Sequence, residues 1–252
     1  MKSFVFPSTP STPGECTGSP VARAPQARAF WAFTLIELLV VIAVISILAA
    51  MLFPVGNAVN RAKIRQRVRS EMTQVQTAIE SYKSKLGFYP PSDTNSPAPN
   101  SLYYELLGTF PTNNTTAYVS LDGSSRIAAN VLPTIFGPSI GGFLNCTRGA
   151  GGDERQPAAK FFPGLKQGQF LAVTPTNAAA PIFTLLGANI PGPVLFPSPE
   201  GGKINPWRYN SAAPVHNSNN YDLWIDVLIG NKVYRICNWS TEPLQVSSPY
   251  LE

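Results

Sequence analysis

The chain has 252 residues, 44% of them hydrophobic and 13% charged, with 25 prolines, 19 glycines, three cysteines and one histidine. Its formal charge of +5 is local: residues 61–86 hold seven basic and two acidic side chains, whereas residues 87–252 hold nine basic against ten acidic. A surface that tracks phosphates would have to lie on that near-neutral C-terminal part, so nucleic acid is not an expected partner.

Residues 1–32 are rich in Pro, Ser, Thr and Ala and carry Lys2, Arg23 and Arg28. They have no apolar core of their own, unlike a secretory signal peptide of the usual kind. Cys16 stands in Gly-Glu-Cys with no apolar run before it, so a lipoprotein anchor is not expected. Phe33 to Val55 is then uncharged apart from one acid, Glu37, and from Leu38 through Asn60 no side chain is charged. That run is long enough for a helix to cross the hydrocarbon of a bilayer, which takes about 20 residues. A carboxylate in such a segment is costly, which makes Glu37 a functional candidate that needs a neutralising partner. Pro54 removes one helix hydrogen bond and clashes with the preceding turn, so a kink or local melting is expected there.

Phe33-Thr-Leu-Ile-Glu37-Leu-Leu resembles the N-terminus of type IV pilins and type II secretion pseudopilins. The resemblance implies that prepilin peptidase cuts between Ala32 and Phe33 and methylates the new amine of Phe33. Glu37 then becomes the fifth residue of the mature chain and pairs with an amino terminus, its own or a neighbour's, during assembly. Pro54 also fits the family pattern. Ala32 departs from it, since glycine normally precedes the cut. An ordinary signal anchor with a stray acid is the alternative reading. The basic residues Arg61, Lys63, Arg65, Arg67 and Arg69 outnumber those before the span, which alone would favour a cytoplasmic C-terminus. The resemblance implies the reverse, with the leader in the cytoplasm and the head outside.

Beyond the apolar segment, Ile64, Val68, Met72, Val75, Ile79, Tyr82 and Leu86 recur at three- and four-residue intervals and predict one buried stripe on a continuing helix. Gly87 marks its stop. A helix from Phe33 to Leu86 would be about 80 Å long at about 1.5 Å per residue. Gly87-Phe-Tyr-Pro-Pro91 resembles the turn that closes this helix in major pseudopilins. A short helix is predicted over Ser101 to Leu107, with Leu102, Tyr103, Leu106 and Leu107 on one side. From Gly108 to about Pro206 the sequence reads mostly as loops with short apolar pieces at Ala117–Leu121, Phe170–Val173 and Pro193–Phe196. Gly141-Gly142 and Gly149-Ala-Gly-Gly152 read as turns, because no strand and Lys-Ser/Thr frame them as phosphate loops. Asp153-Glu154 reads as a solvated loop tip.

Three short strands are predicted at Asn205–Asn210, Tyr221–Trp224 and Lys232–Trp239, with a hairpin turn at Gly230-Asn231. Their order resembles the terminal sheet of major pseudopilins, with Arg208 where that family has glycine. Trp207, Trp224 and Trp239 are expected to pack this sheet on the long helix, each burying roughly 150–250 Å². A sugar-binding aromatic platform is the alternative. The resemblance also implies a calcium site, with Asp222 matching a strand acid and Asp226 or Asn231 near the place of a missing turn acid. Calcium takes six to eight oxygens. Ordinary strand-edge acids are the competing reading. Cys146 and Cys237 could form one bridge in an oxidising compartment or remain two buried thiols. His216 lies in a turn-like stretch with no adjacent nucleophile elbow, so no enzyme is expected.

The expected fold is α+β and pilin-like: a long N-terminal helix, its first half membrane-spanning, packed on a small C-terminal antiparallel sheet, with a long loop-rich middle. The divisions are a leader over 1–32, a transmembrane and filament-core helix over 33–56, an amphipathic stalk over 57–86, a variable head region over 87–204 and the terminal sheet over 205–252. About 165 residues beyond the helix suffice for one domain with a modest core. The resemblance implies a structural pseudopilus subunit of the bacterial inner membrane, single-pass with a periplasmic head. Its partners would be prepilin peptidase, further copies and minor pseudopilins in a filament, an inner-membrane platform and assembly ATPase, and an outer-membrane secretin. A type IV pilus subunit for adhesion or motility, or a membrane-anchored surface binding protein, are the alternatives.

Overall fold

A computed structural model describes residues 34–94, 97–112, 115–147, 157–174 and 181–247, with backbone alone over 51–58. The leader, Ala32, Phe33, Gly149–Gly152 and Asp153-Glu154 lie outside the described residues. The fold is α+β, with an N-terminal helix and antiparallel sheets. The chain divides into two compact units, residues 1–51 and 52–252.

Helix α1, Leu35–Leu86, has 52 residues. It is helical across Pro54, so the local melting expected there is not present. It ends where Gly87 adopts φ 88° and donates its N–H to the Lys83 carbonyl at 2.8 Å. Glycine takes this left-handed cap without a Cβ penalty. In the second unit the predicted stripe is the buried face: Val68, Met72, Val75, Ile79 and Tyr82 belong to the core, and Ile64 and Leu86 pack against it. Helix α2, Leu102–Leu107, follows the cis Ala98–Pro99 bond and is buried along its whole length.

The middle of the chain differs from the loop-rich expectation. Strands β1 Thr109–Pro111, β2 Ala117–Ser120 and β3 Arg126–Ala128 form an antiparallel meander. A 3-10 turn over Ala129–Val131 leads into helix α3, Leu132–Phe136, with a proline in its first turn. A second sheet contains β4 Phe170–Val173, β5 Phe183–Ala188, β6 Phe196–Pro197 and β7 Lys203–Pro206 in the order β4-β5-β7-β6. Its central strand β5 is buried at all six positions, Thr184 included. A strand covered on both faces shows no alternation, and two- to four-residue neighbours are too short to show any period. Gly187 lies where β7 comes closest, and a Cβ there would collide with the Asn205 carbonyl oxygen, the close backbone approach that a glycine inside a strand often marks.

The terminal sheet has the order β11-β10-β9-β8, all antiparallel, from β8 Arg208–Asn210, β9 Asp222–Ile229, β10 Lys232–Cys237 and β11 Leu244–Val246. The β9–β10 hairpin turns at Gly230-Asn231 with only Gly230 at positive φ, the glycine-first pattern of a II′ turn. The strand expected over 205–210 is two strands. The chain passes from the middle sheet to the terminal sheet at Trp207, which is 1% exposed and donates its N–H to the Leu186 carbonyl. Both sheets therefore share one core with α1, and β7 spans the expected boundary between 204 and 205.

Alternation along β9 sorts its side chains. Leu223, Ile225, Val227 and Ile229 enter the core beside Tyr209 and Ile236, whereas Asp222, Trp224 and Asp226 take the opposite face. This corrects the expectation for Trp224. Trp207 packs in the core, but Trp224 lies outside that cluster on the opposite face of β9 and meets Trp239 in an aromatic corner; Trp239, also outside the cluster, borders a groove with Arg69 and Met72 of α1.

Candidate functional site

The first helical turn is closed by a reciprocal pair. Thr34 donates its N–H and its hydroxyl to Glu37 Oε2 at 2.9 and 2.8 Å, and the Glu37 N–H donates to Thr34 Oγ1 at 3.2 Å. This is a capping box, which satisfies N–H groups that the helix itself leaves open and sets a carboxylate at its positive end. Thr-x-x-Glu was readable in the sequence as that signature. The box begins two residues after the expected cut. Along the following turns, Leu35, Leu38, Val41, Ile45 and Leu48 are all about half exposed or more, and so are the apolar residues between them. A helix apolar all round is buried by an assembly or a membrane when it functions. Ser46 donates back to the Ile42 carbonyl at 2.7 Å, so its hydroxyl needs no outside partner. Among the described residues no helix is long and apolar enough to cross a membrane. Side chains of this stretch are described only over 35–50. That is shorter than the span of about 20 residues that a bilayer requires.

On the terminal sheet the three residues expected to hold calcium are not brought together. Both Asp222 oxygens accept backbone N–H groups, Oδ2 from Val215 at 2.7 Å and His216 at 2.9 Å, and Oδ1 from Asn217 at 2.9 Å. Asp226 is fully buried and accepts from Arg235 Nε at 2.9 Å, with Arg208 Nη1 at 3.8 Å. Asn231 is exposed on the hairpin turn. Four residues along a strand separate the two carboxylates by about 13 Å. In this arrangement the acids anchor a loop and pair with arginines, and a cation would have to displace those donors. Among the described residues no group of three or more His, Cys, Asp or Glu could hold a metal. Cys146 and Cys237 are not joined to one another.

Two further arrangements escaped the sequence reading. Glu105, fully buried on α2, accepts from the Leu144 N–H, the Asn145 N–H and the Tyr82 hydroxyl, each at 2.9 Å. Burial pushes its carboxyl above the usual carboxylate range, with the two N–H donors and the phenol pulling the other way. It links α1, α2 and the segment before Cys146. In the sequence it is one acid inside Leu-Tyr-Tyr-Glu-Leu-Leu, with nothing local to mark its partners.

The other arrangement is the aromatic corner. His216 stacks on Trp239, ring centroids 4.1 Å apart at 15°, and Trp239 meets Trp224 at 5.7 Å and 68°. The Trp224 indole N–H is buried with no acceptor, and a buried donor left unsatisfied costs about 1–3 kcal/mol. The corner borders a cleft of about 300 Å³.

Residues 32–53 match the prokaryotic N-terminal methylation motif. The match straddles the expected cut and contains Glu37. It implies a type IV pilin-like or pseudopilin-type substrate of prepilin peptidase and suggests a membrane-anchored protein; the α+β fold is compatible with the pilin-like one. No curated protein and no solved structure matches the chain significantly.

Proposed function

We propose that the chain is a structural subunit of a type II secretion pseudopilus, with no catalytic role. The observation that carries this reading is the methylation motif over residues 32–53 on a helix whose apolar first turns no other described residue covers. In this reading prepilin peptidase cuts between Ala32 and Phe33 and methylates the Phe33 amine. The subunit waits in the bacterial inner membrane with its head in the periplasm. An assembly ATPase and platform protein then draw it into a homo-oligomeric filament with minor pseudopilins, and growth drives cargo through an outer-membrane secretin.

Burial of the apolar side chains of residues 35–50 against neighbouring subunits supplies the driving force for assembly. Glu37 is neutralised there by an amino terminus, and the capping box holds its carboxylate on the turn nearest the cut. Pro54, which lacks a backbone N–H, lowers the cost of bending the helix when it leaves the bilayer for the filament.

Deletion of the gene and filament imaging test the assignment together. A pseudopilus subunit gives a secretion defect without loss of long surface filaments. Loss of surface filaments with normal secretion would make the chain a type IV pilus subunit instead.

A further inference from the structure

The outer face of the terminal sheet carries a cleft that is not part of the apolar stretch proposed above for assembly. Its walls are Trp224, Trp239 and His216, with Pro97, Ala213 and Val215 adding apolar surface at the rim. Each wall is fixed from behind. Asp222 clamps the backbone of residues 215–217, which sets His216 against Trp239. Asn238, immediately before Trp239, accepts from the Leu223 N–H at 3.0 Å and from the Asn217 amide at 3.0 Å, and donates to the Tyr221 carbonyl at 2.9 Å. The aromatic corner is thus held in shape before any ligand arrives, which lowers the ordering cost of binding.

The chemistry of the walls restricts the occupant. No Lys or Arg is among the described residues lining the cleft, so an anion finds no charged partner there. The one lining carboxylate, Asp222, has both oxygens committed to N–H donors, so a cation finds none either. The Trp224 ring already carries the Arg235 guanidinium at 5.6 Å, which repels a quaternary ammonium group. What remains is a neutral ligand with a flat C–H face for the aromatic rings and an oxygen acceptor for the unpartnered Trp224 N–H. A volume of about 300 Å³ is at the small end of ligand sites. The cleft is compact, unlike the extended groove that a polyproline peptide needs.

We propose that this cleft binds one ring of a neutral saccharide, stacked in the corner formed by His216, Trp239 and Trp224, with the Trp224 indole N–H donating to a sugar oxygen. The ligand class is a neutral glycan presented outside the cytoplasm. None of the described residues lining the cleft belongs to α1, so binding is separable from the apolar contacts proposed for assembly.

The test uses the full chain, 15N-labelled, in a polyoxyethylene detergent that carries no sugar headgroup. Cellotriose, maltotriose, mannotriose and chitotriose are titrated in turn, with decaproline as the peptide control, and the four indole N–H signals are followed by NMR. The expected result is saturable movement of the Trp224 signal, identified by its loss in Trp224→Phe, with at least one trisaccharide. Trp224→Phe keeps a ring and removes the donor, and should weaken that binding tenfold, a change of about 1.4 kcal/mol. His216→Ala, at an exposed position outside the core, should weaken it by a similar factor and keeps the test decisive if Trp224→Phe folds poorly. The proposal is overturned if no trisaccharide moves the Trp224 signal up to tens of millimolar, if binding survives His216→Ala unchanged, or if decaproline alone binds.

Discussion

The two halves of α1 are built from similar apolar side chains and meet opposite fates. Leu35 is 80% exposed, whereas Ile79 and Tyr82 are fully buried. In the second half apolar residues recur on one stripe, and the chain supplies its own sheets to cover them. In the first half they surround the helix, and nothing within the described residues covers them. Hydrophobic burial is thus completed by the described residues for one half and, in the proposed function, left to membrane and neighbouring subunits for the other. A change in the second half should therefore unfold the head, and a change in the first should spare the head and stop assembly.

The sharpest contrast comes from paired truncations. Ile79→Ala removes a fully buried side chain and should cost about 2–5 kcal/mol, read as a lower urea midpoint of the full chain in detergent. Leu39→Ala, at an exposed position, should leave head stability within about 0.5 kcal/mol and reduce filament yield instead. Equal losses of head stability would break the comparison.

Glu105→Gln is next. Where the group is ionised, an amide cannot replace a carboxylate that accepts from two N–H groups and a phenol, so one donor loses its partner at a cost of about 1–3 kcal/mol. The same group sets a pH dependence. Its folded pKa lies above the unfolded reference of 4.5, so between the two values the native chain keeps a proton that the unfolded chain has released. Stability from this group is therefore greatest below that reference and falls as pH rises through the folded value. Urea midpoints across mildly acidic pH should show this fall in the wild type and lose it in Glu105→Gln.

Glu37→Ala removes the capping box at the start of the first half. Insertion and the melting temperature of the head should be unchanged, while filament yield drops; a normal yield would end the proposed pairing role. The smallest expected effect is that of calcium. Chelation should leave the melting temperature where it is, since Asp222 and Asp226 already have donors, and a fall of several degrees would restore a metal site to the terminal sheet.

What could be read from the sequence follows the range over which a signal acts. The stripe from Val68 to Tyr82 has the period of a helix, and Gly230-Asn231 is a local turn signal, so both were legible. Thr34-x-x-Glu37 is an equally local signature, that of a capping box. The middle sheets were not legible, because β5 is buried on both faces and its neighbours are too short to alternate. The aromatic corner was hidden for another reason. Trp224, His216 and Trp239 lie on β9, in the loop before it and just after β10, and only the antiparallel register brings them together. The three candidate calcium residues stay apart for a simpler reason: four residues of one strand separate Asp222 from Asp226, and Asn231 sits beyond them on the turn.

The central claim is that this helix begins at a processed amino terminus next to Glu37. Intact mass and N-terminal sequencing of the protein from its native membrane test it directly. The account predicts a mature chain that starts at methylated Phe33; an unmodified chain with residues 1–32 still attached would contradict it.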